Sequence, residues 1–510
     1  MSDINNKQIA KNSLFLYLRM VVIMGVTLFT SRVVLQALGV DDYGIYTVVG
    51  GITAMFKIIL GSMTDATQRF LTFEIGKGAQ GNVSKVFSTS LLLHVIIGVV
   101  IVIVAEPLGL WFLNHKLIIP AERMNAAFWV FQSSLISLFF LIVSIPYNAM
   151  IVAYERMKAF AYISVLDAFL RLCIAYLLFV DFGIDRLILY SFLMMASQTL
   201  LRFVYSIYCN HSFADSKFHL YFDRHLIVEF GKFGSWTLIG NASYLLSTQG
   251  ISLLLGTFFA PFVTAARGIA IQVHGALTTF VKNFQTAVNP QITKNYASGK
   301  LNSLHELVIR SAKFSVFLMI VPLLPILFET EYVLELWLVE VPQYTVDFTR
   351  FMILSLLLTT LRNPIEVAAK ATGKIKRFEI EVQGSKLLIL PISYIFLRLG
   401  YSPVSVFVID LIFNIIALVL SLKEINRLIG LSIVECLHNV ILRVAITCLL
   451  SAILPLYLRL FFEEGLFRFI LSIATTIPTL IIITYIGLTS TERCSIYQMI
   501  NKMKSKLKWF

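Results

Sequence analysis

Arg19, Arg32, Lys57, Arg171, Arg202, Arg267, Lys282, Arg362 and Arg443 all fall inside stretches that are otherwise apolar. If such stretches cross a bilayer, each cation at mid-depth raises the insertion free energy by roughly 2.5–3.5 kcal/mol. Lys282 and Arg443 are near enough to an interface to reach it by extending their stems; Arg171 is not. Groups kept at that expense attract anions, and phosphate most of all, because a cation in a low-dielectric cleft binds it strongly. The stretch around Arg267 is the most informative. At 100° per residue, Arg267, His274, Thr278, Lys282 and Gln285 share one helical face. A polar stripe along a helix cannot face lipid, so it joins helices together or lines a cavity.

The acids are fewer. Asp167 precedes Arg171 by four residues, and Glu366 follows Arg362 by four. Both spacings suit a neutral helical pair. The other reading turns Arg171 towards a cavity with Asp167 tuning it. Asp410, with Asn414 one turn on, has no helical counter-charge. It is either a hydrogen-bonded buried acid or, like Asp167, a candidate for binding a coupling ion.

The elements that must carry these groups are long apolar helices. Fourteen runs approach the roughly 20 residues that a membrane crossing needs: 13–38, 44–64, 87–112, 125–149, 160–180, 187–208, 233–257, 263–287, 312–331, 348–368, 380–399, 403–422, 438–458 and 467–488. Strands with open edges would leave backbone groups unsatisfied in lipid, and these runs are too long for barrel strands. The expectation is an all-α polytopic membrane protein. The run 380–399 is the weakest, because Glu381, Gln383 and Lys386 sit in its first two turns. The first run follows Lys11, is too long for a signal peptide and contains Arg19 and Arg32.

The composition of the 510 residues agrees: 58% are hydrophobic and 14% charged, against about 25% charged in a soluble domain, and the mean hydropathy is +0.82. That excludes a cytosolic enzyme, a nucleic-acid binder and a disordered chain. The net charge of +13 reads as cation-rich cytoplasmic loops. With both termini inside, the inner segments hold 24 Lys and Arg, and the outer ones hold Lys116, Arg123, Arg186 and Arg459. The basic tail from Lys502 would lie against anionic headgroups. Five cysteines show no metal-binding spacing. No metal or cofactor is expected, and nothing resembles a nucleotide-binding loop.

The chain repeats itself. Under a shift of 217, residues 35–65 meet 252–282, with Leu38/Leu255, Gly39/Gly256 and Thr47/Thr264 among the identities, and just beyond, Gln68 meets Gln285. Under a shift of 218, residues 146–178 meet 364–396, with Pro146/Pro364, Ala153/Ala371 and Lys158/Lys376. The stripe recurs too, since Lys57, Gly61, Asp65 and Gln68 hold the matching places in the second run. Six spans separate the copies, so both have one orientation, as parallel transporter repeats do. The expected organisation is a lobe of six spans over 1–212, a second over 213–430 with a cavity between them, and two further helices with the basic tail over 431–510.

Arg32 through Leu38-Gly39 to Tyr43-Gly44-Ile45-Tyr46, Pro146 with Tyr154-Glu155-Arg156, and Asn289-Pro290 to Ala297-Ser298-Gly299 together resemble Wzx-type polysaccharide flippases of the multidrug/oligosaccharidyl-lipid/polysaccharide (MOP) superfamily. The resemblance covers essentially the whole chain. It implies a multi-pass protein of the bacterial cytoplasmic membrane, not an enzyme. Such a protein carries polyprenyl-pyrophosphate-linked oligosaccharide, as in O-antigen and lipopolysaccharide assembly, from the cytoplasmic to the periplasmic leaflet by alternating access. H+ or Na+ is the implied coupling ion. Membrane lipids are the implied surroundings, and the chain would be a monomer, working beside other polysaccharide-assembly proteins. By position, the resemblance maps a cationic cavity onto Arg19, Lys57, Arg171 and Arg267, with His274 and Gln285 from the stripe. A lipid II flippase has the same architecture. A drug/cation antiporter of the superfamily commonly places an acid in its first helix, where this chain has Arg19 and Arg32. A membrane polymerase or ligase needs a large outer loop with Arg or His, and the longest here, 332–347, has no Arg, Lys or His.

Overall fold

A computed structural model describes residues 2–54, 57–115, 119–219, 221, 223–259, 261–338, 341–490 and 492–494. Lys116 and the tail from Lys502 lie outside them, as do the side chains of Lys7, Lys11, Arg32, Lys57, Thr47 and Thr264. The described residues form helices and no strand, as backbone in lipid requires. Each of the fourteen apolar runs coincides with helix. The order is α1 (Ser2–Ala54), α2 (Lys57–Gly76), α3 (Val83–His115), α4 (Met124–Ala153), α5 (Met157–Leu177), α6 (Arg186–Ser212), α7 (Arg224–Phe258), α8 (Pro261–Ala297), α9 (Leu301–Phe328), the short α10 (Thr330–Trp337), α11 (Thr345–Ala371), α12 (Lys376–Arg398), α13 (Val404–Ile429), α14 (Ile433–Phe461) and α15 (Leu466–Gly487). Among the described residues ten helices are long and apolar enough to cross a membrane.

α1 carries the first apolar run and the start of the second. Gly39 sits at φ 78° within it and breaks the helix, so the first run ends at Leu38 and the second begins beyond. Only glycine adopts that conformation without steric cost. α12, the weakest run, is helical but irregular. It opens with one α-turn, passes through a π stretch (Glu379–Gln383) and a 3-10 stretch (Gly384–Leu388), and returns to α over Ile389–Arg398. The polar residues that weakened it in the sequence lie in the irregular part, where Glu379, Gln383 and Lys386 are buried.

The chain divides into two compact units, Asn12–Asn241 and Ala242–Phe510 with Met1–Lys11. In the first, α4 is the hub and packs against α2, α3, α5 and α6. Gly109 lets α3 approach α4, for a Cβ there would collide with the Phe131 ring. In the second, the hub is α11, packed against α8, α9 and α13. α4 and α11 are repeat counterparts. So are the turns that follow them: Glu155 (φ 59°) and Gly373 (φ 75°) adopt the same left-handed conformation 218 places apart.

The last two spans lean on α9. Arg468 of α15 donates to Glu329 at 2.7 Å, and Lys313 of α9 donates to Glu492, beyond α15, at 2.7 Å. All four side chains are under a tenth exposed. Each ammonium or guanidinium thus has its carboxylate in contact, which is the condition for keeping both out of water.

Candidate functional site

The first unit contains a cavity of about 500 Å³, within the range of ligand pockets. Its walls come from five helices, each contributing residues three, four or seven apart: Arg19, Ile23 and Thr27 of α1; Gly61 and Thr64 of α2; Ser144 and Asn148 of α4; Ser164, Asp167 and Arg171 of α5; Gln198, Leu201 and Tyr205 of α6. Helical spacing therefore turns one stripe of every helix inward.

Among the described residues, three charges line this cavity. Asp167 accepts from Arg171 Nε at 3.0 Å and from Nη2 at 3.3 Å, so the i,i+4 pair forms and both partners face the cavity. Arg19 meets no carboxylate among the described residues. Its guanidinium lies over the Phe160 ring, 4.6 Å from the centroid, and its Nε is buried without a hydrogen-bond partner. The remaining polar lining is neutral. Asn148 donates to the Tyr205 hydroxyl at 3.3 Å, and Thr27, Thr64, Ser144, Ser164 and Gln198 add hydroxyl and amide groups. The cavity can hold an anion against two guanidiniums and present donors and acceptors to a hydroxylated ligand.

Of the sequence-derived candidates, Arg19, Asp167 and Arg171 are brought together here. The Lys57 side chain lies outside the described residues. Arg267, His274, Gln285 and Asp410 belong to the second unit. Arg267 is buried and donates from Nη2 to the Thr248 carbonyl of α7 at 2.6 Å. Gln285 donates to the Thr360 carbonyl of α11 at 3.1 Å. His274 lies 3.5 Å from the Thr278 hydroxyl, and Lys282 is exposed. The stripe on α8 thus contains both helix-joining and exposed groups.

The Arg362–Glu366 pair is not formed, which corrects the spacing argument. Glu366 instead meets Lys370 at 3.0 Å, one turn nearer the helix end, where both side chains retain some exposure. Arg362 is 6% exposed, and its Nε and Nη1 have no hydrogen-bond partner among the described residues. Nor does Asp410 stand alone: Ser355 donates to it at 2.8 Å and Asn414 at 3.0 Å. Lys386, 5% exposed, interacts electrostatically with Arg362, Asp410 and Glu366. Arg362 and Lys386 are buried and Glu366 and Asp410 half-buried, on α11, α12 and α13.

The repeat relates the two regions. Ser144, Asn148 and Ala168 line the first unit's cavity; 218 places on stand Arg362, Glu366 and Lys386. Where the first copy has a serine, an amide and an alanine, the second has charged side chains. Asn148, Gln198 and Tyr205 were not singled out from the sequence. The only signal for them was the polar stripe they make on α4 and α6. No group of three His, Cys, Asp or Glu able to hold a metal occurs among the described residues.

No protein-family profile matches the chain, and no curated protein gives a significant match. Solved structures do. An outward-facing multidrug resistance MATE family transporter of the MOP superfamily superposes with a TM-score of 0.70 at 16% identity, over 84% of this chain and 97% of that one. Its fold is that of the MATE transporters. A MATE protein in the bent conformation gives 0.70 at 14% identity, over 83% and 96%. A MOP superfamily transporter from Pyrococcus furiosus, described as having a binding pocket of reverse polarity that suggests a different function, gives 0.64 at 14% identity, over 82% and 96%.

Proposed function

We propose that this chain is a transporter of the MOP superfamily that moves an amphiphile with an anionic headgroup across the membrane. In the finer reading the cargo is a polyprenyl-pyrophosphate-linked oligosaccharide, carried from the cytoplasmic to the periplasmic leaflet by alternating access. One observation carries the reading: among the described residues, the cavity of the first unit holds two guanidiniums and one carboxylate, and Arg19 meets no carboxylate of its own. A pyrophosphate would lie between Arg19 and Arg171, and the sugars would meet the amides and hydroxyls. Asp167 and Asp410 are the proposed coupling-ion groups, with H+ or Na+ as the ion. The Pyrococcus furiosus protein is described in terms of reversed pocket polarity, which supports the idea that this fold accepts cargoes of either sign.

The rival reading, a cation or drug antiporter, draws support from the multidrug transporters among the structural neighbours. Reconstitution separates the two. Proteoliposomes carrying a dye-labelled polyprenyl diphosphate disaccharide should show protein-dependent exposure of the dye to an outside quencher. Arg19→Ala should lower the rate by about ten- to a hundredfold, as loss of a charged hydrogen bond does. Uptake of ethidium with no movement of the labelled lipid would overturn the proposal in favour of the antiporter.

A further inference from the structure

A second cationic cavity opens in the second unit, at the end of the spans where positive charge concentrates. It measures about 600 Å³ and is lined by Lys374, Lys376, Arg377, Ile380, Glu381, Arg427 and Leu428. Four cations thus face one acid. The site is built and not merely a patch of surface. Glu424, fully buried on α13, takes Arg427 at 2.5 Å and Arg377 at 3.3 Å, and Glu381 takes Arg377 as well. These carboxylates set two guanidiniums at the mouth, where 43% and 45% of their side chains remain exposed. The turn after α11 supplies the lysines. Gly373 makes the turn at φ 75°, and the Thr372 hydroxyl accepts the Lys374 N–H at 3.1 Å.

The apolar part of the lining indicates what enters. Ile380, 49% exposed, stands on the first turns of a membrane helix, with Leu428 across from it. A free anion has no use for that wall. A lipid whose phosphate meets the cations and whose chains run down past Ile380 uses both. Basic pockets between spans on the cytoplasmic side recognise lipid headgroups by this combination.

We propose that this cavity binds the headgroup of an anionic glycerophospholipid on the cation-rich side of the membrane, with Lys374, Lys376, Arg377 and Arg427 around the phosphate. The inference uses the side of the membrane assigned by the cation count and does not depend on which cargo the transporter moves. It is tested on the purified, delipidated full chain in non-ionic detergent by native mass spectrometry, titrating dioleoylphosphatidylglycerol, dioleoylphosphatidylcholine or inorganic phosphate. The wild type should retain phosphatidylglycerol in preference to phosphatidylcholine, and inorganic phosphate should not displace it at matched concentration. K374Q/K376Q leaves both arginine pairs in place and should weaken phosphatidylglycerol binding by roughly thirtyfold, at about one Lys charge each. K374R/K376R should restore it. K217Q/K300Q, two exposed cations elsewhere, should bind as the wild type does. Equal retention of the two lipids, or equal loss in K217Q/K300Q, would overturn the proposal in favour of diffuse surface charge. Displacement by inorganic phosphate would overturn it in favour of a free-anion site.

Discussion

Two copies of one repeat keep charge at membrane depth in opposite ways. In the first unit, Arg171 on the regular helix α5 lines a cavity, 42% of its side chain exposed, with Asp167 beside it. In the second, Lys386 on the irregular helix α12 is 5% exposed among Arg362, Glu366 and Asp410. Lys386 is the repeat counterpart of Ala168, which lies between Asp167 and Arg171. A cavity-lining charge keeps its solvation and can exchange its partner for a ligand. A buried charge must find compensation in fixed neighbours. The charges at Arg19, Asp167 and Arg171 are therefore suited to binding, and those around Lys386 to holding a structure whose balance depends on charge.

The largest effect should come from a buried pair whose partner is removed. Glu492→Ala leaves Lys313 buried and uncompensated, and should lower stability by about 3–5 kcal/mol. Thermal unfolding in detergent reads this, and a change under about 1 kcal/mol would show that the pair is open to solvent. A smaller effect is expected at Lys386. Lys386→Met removes a buried ammonium from beside Asp410 and Glu366, which keep Arg362 and Lys370, and should lower stability by about 1–3 kcal/mol. Arg171→Met, by contrast, should move stability by less than about 1 kcal/mol while slowing labelled-lipid movement. If both methionine variants destabilise equally, the distinction between the two regions fails.

The smallest effect lies at the opposite membrane face, where Arg123 bridges Asp185 at 2.5 Å and Asp42. Burial lifts the Asp185 carboxyl, but the Arg123 guanidinium and the N–H groups of Ile188 and Leu187 outweigh it and hold it below the usual carboxylate range. A depressed folded value means that the stabilisation is present above the unfolded value of about 3.9 and is lost as pH falls through the lower folded value. Melting from about pH 5 to about pH 2 should therefore fall more steeply in the wild type than in Arg123→Met, by about 1 kcal/mol or less. Parallel curves would remove the bridge from the stability of this face.

The local features were legible because their causes are local. A run of about twenty apolar residues has one outcome in lipid, and Gly39 marks a helix break by its own backbone freedom. The Asp167–Arg171 pair followed from spacing on one helix. The same spacing misled at Arg362–Glu366, because Lys370 is also four places from Glu366 and takes it. Lys386 read as a flaw in a span, since its partners come from α11 and α13.

The helices, the repeat and the charges held at depth are written in neighbouring residues, because hydrophobic length and helical periodicity are local properties. Which of those charges share a cavity, which are buried together and which carbonyl or carboxylate each one meets is set by packing. Those choices depend on how helices far apart in the chain pack, and one residue's rotation about a helix axis moves a guanidinium from a cavity to a neighbour's backbone.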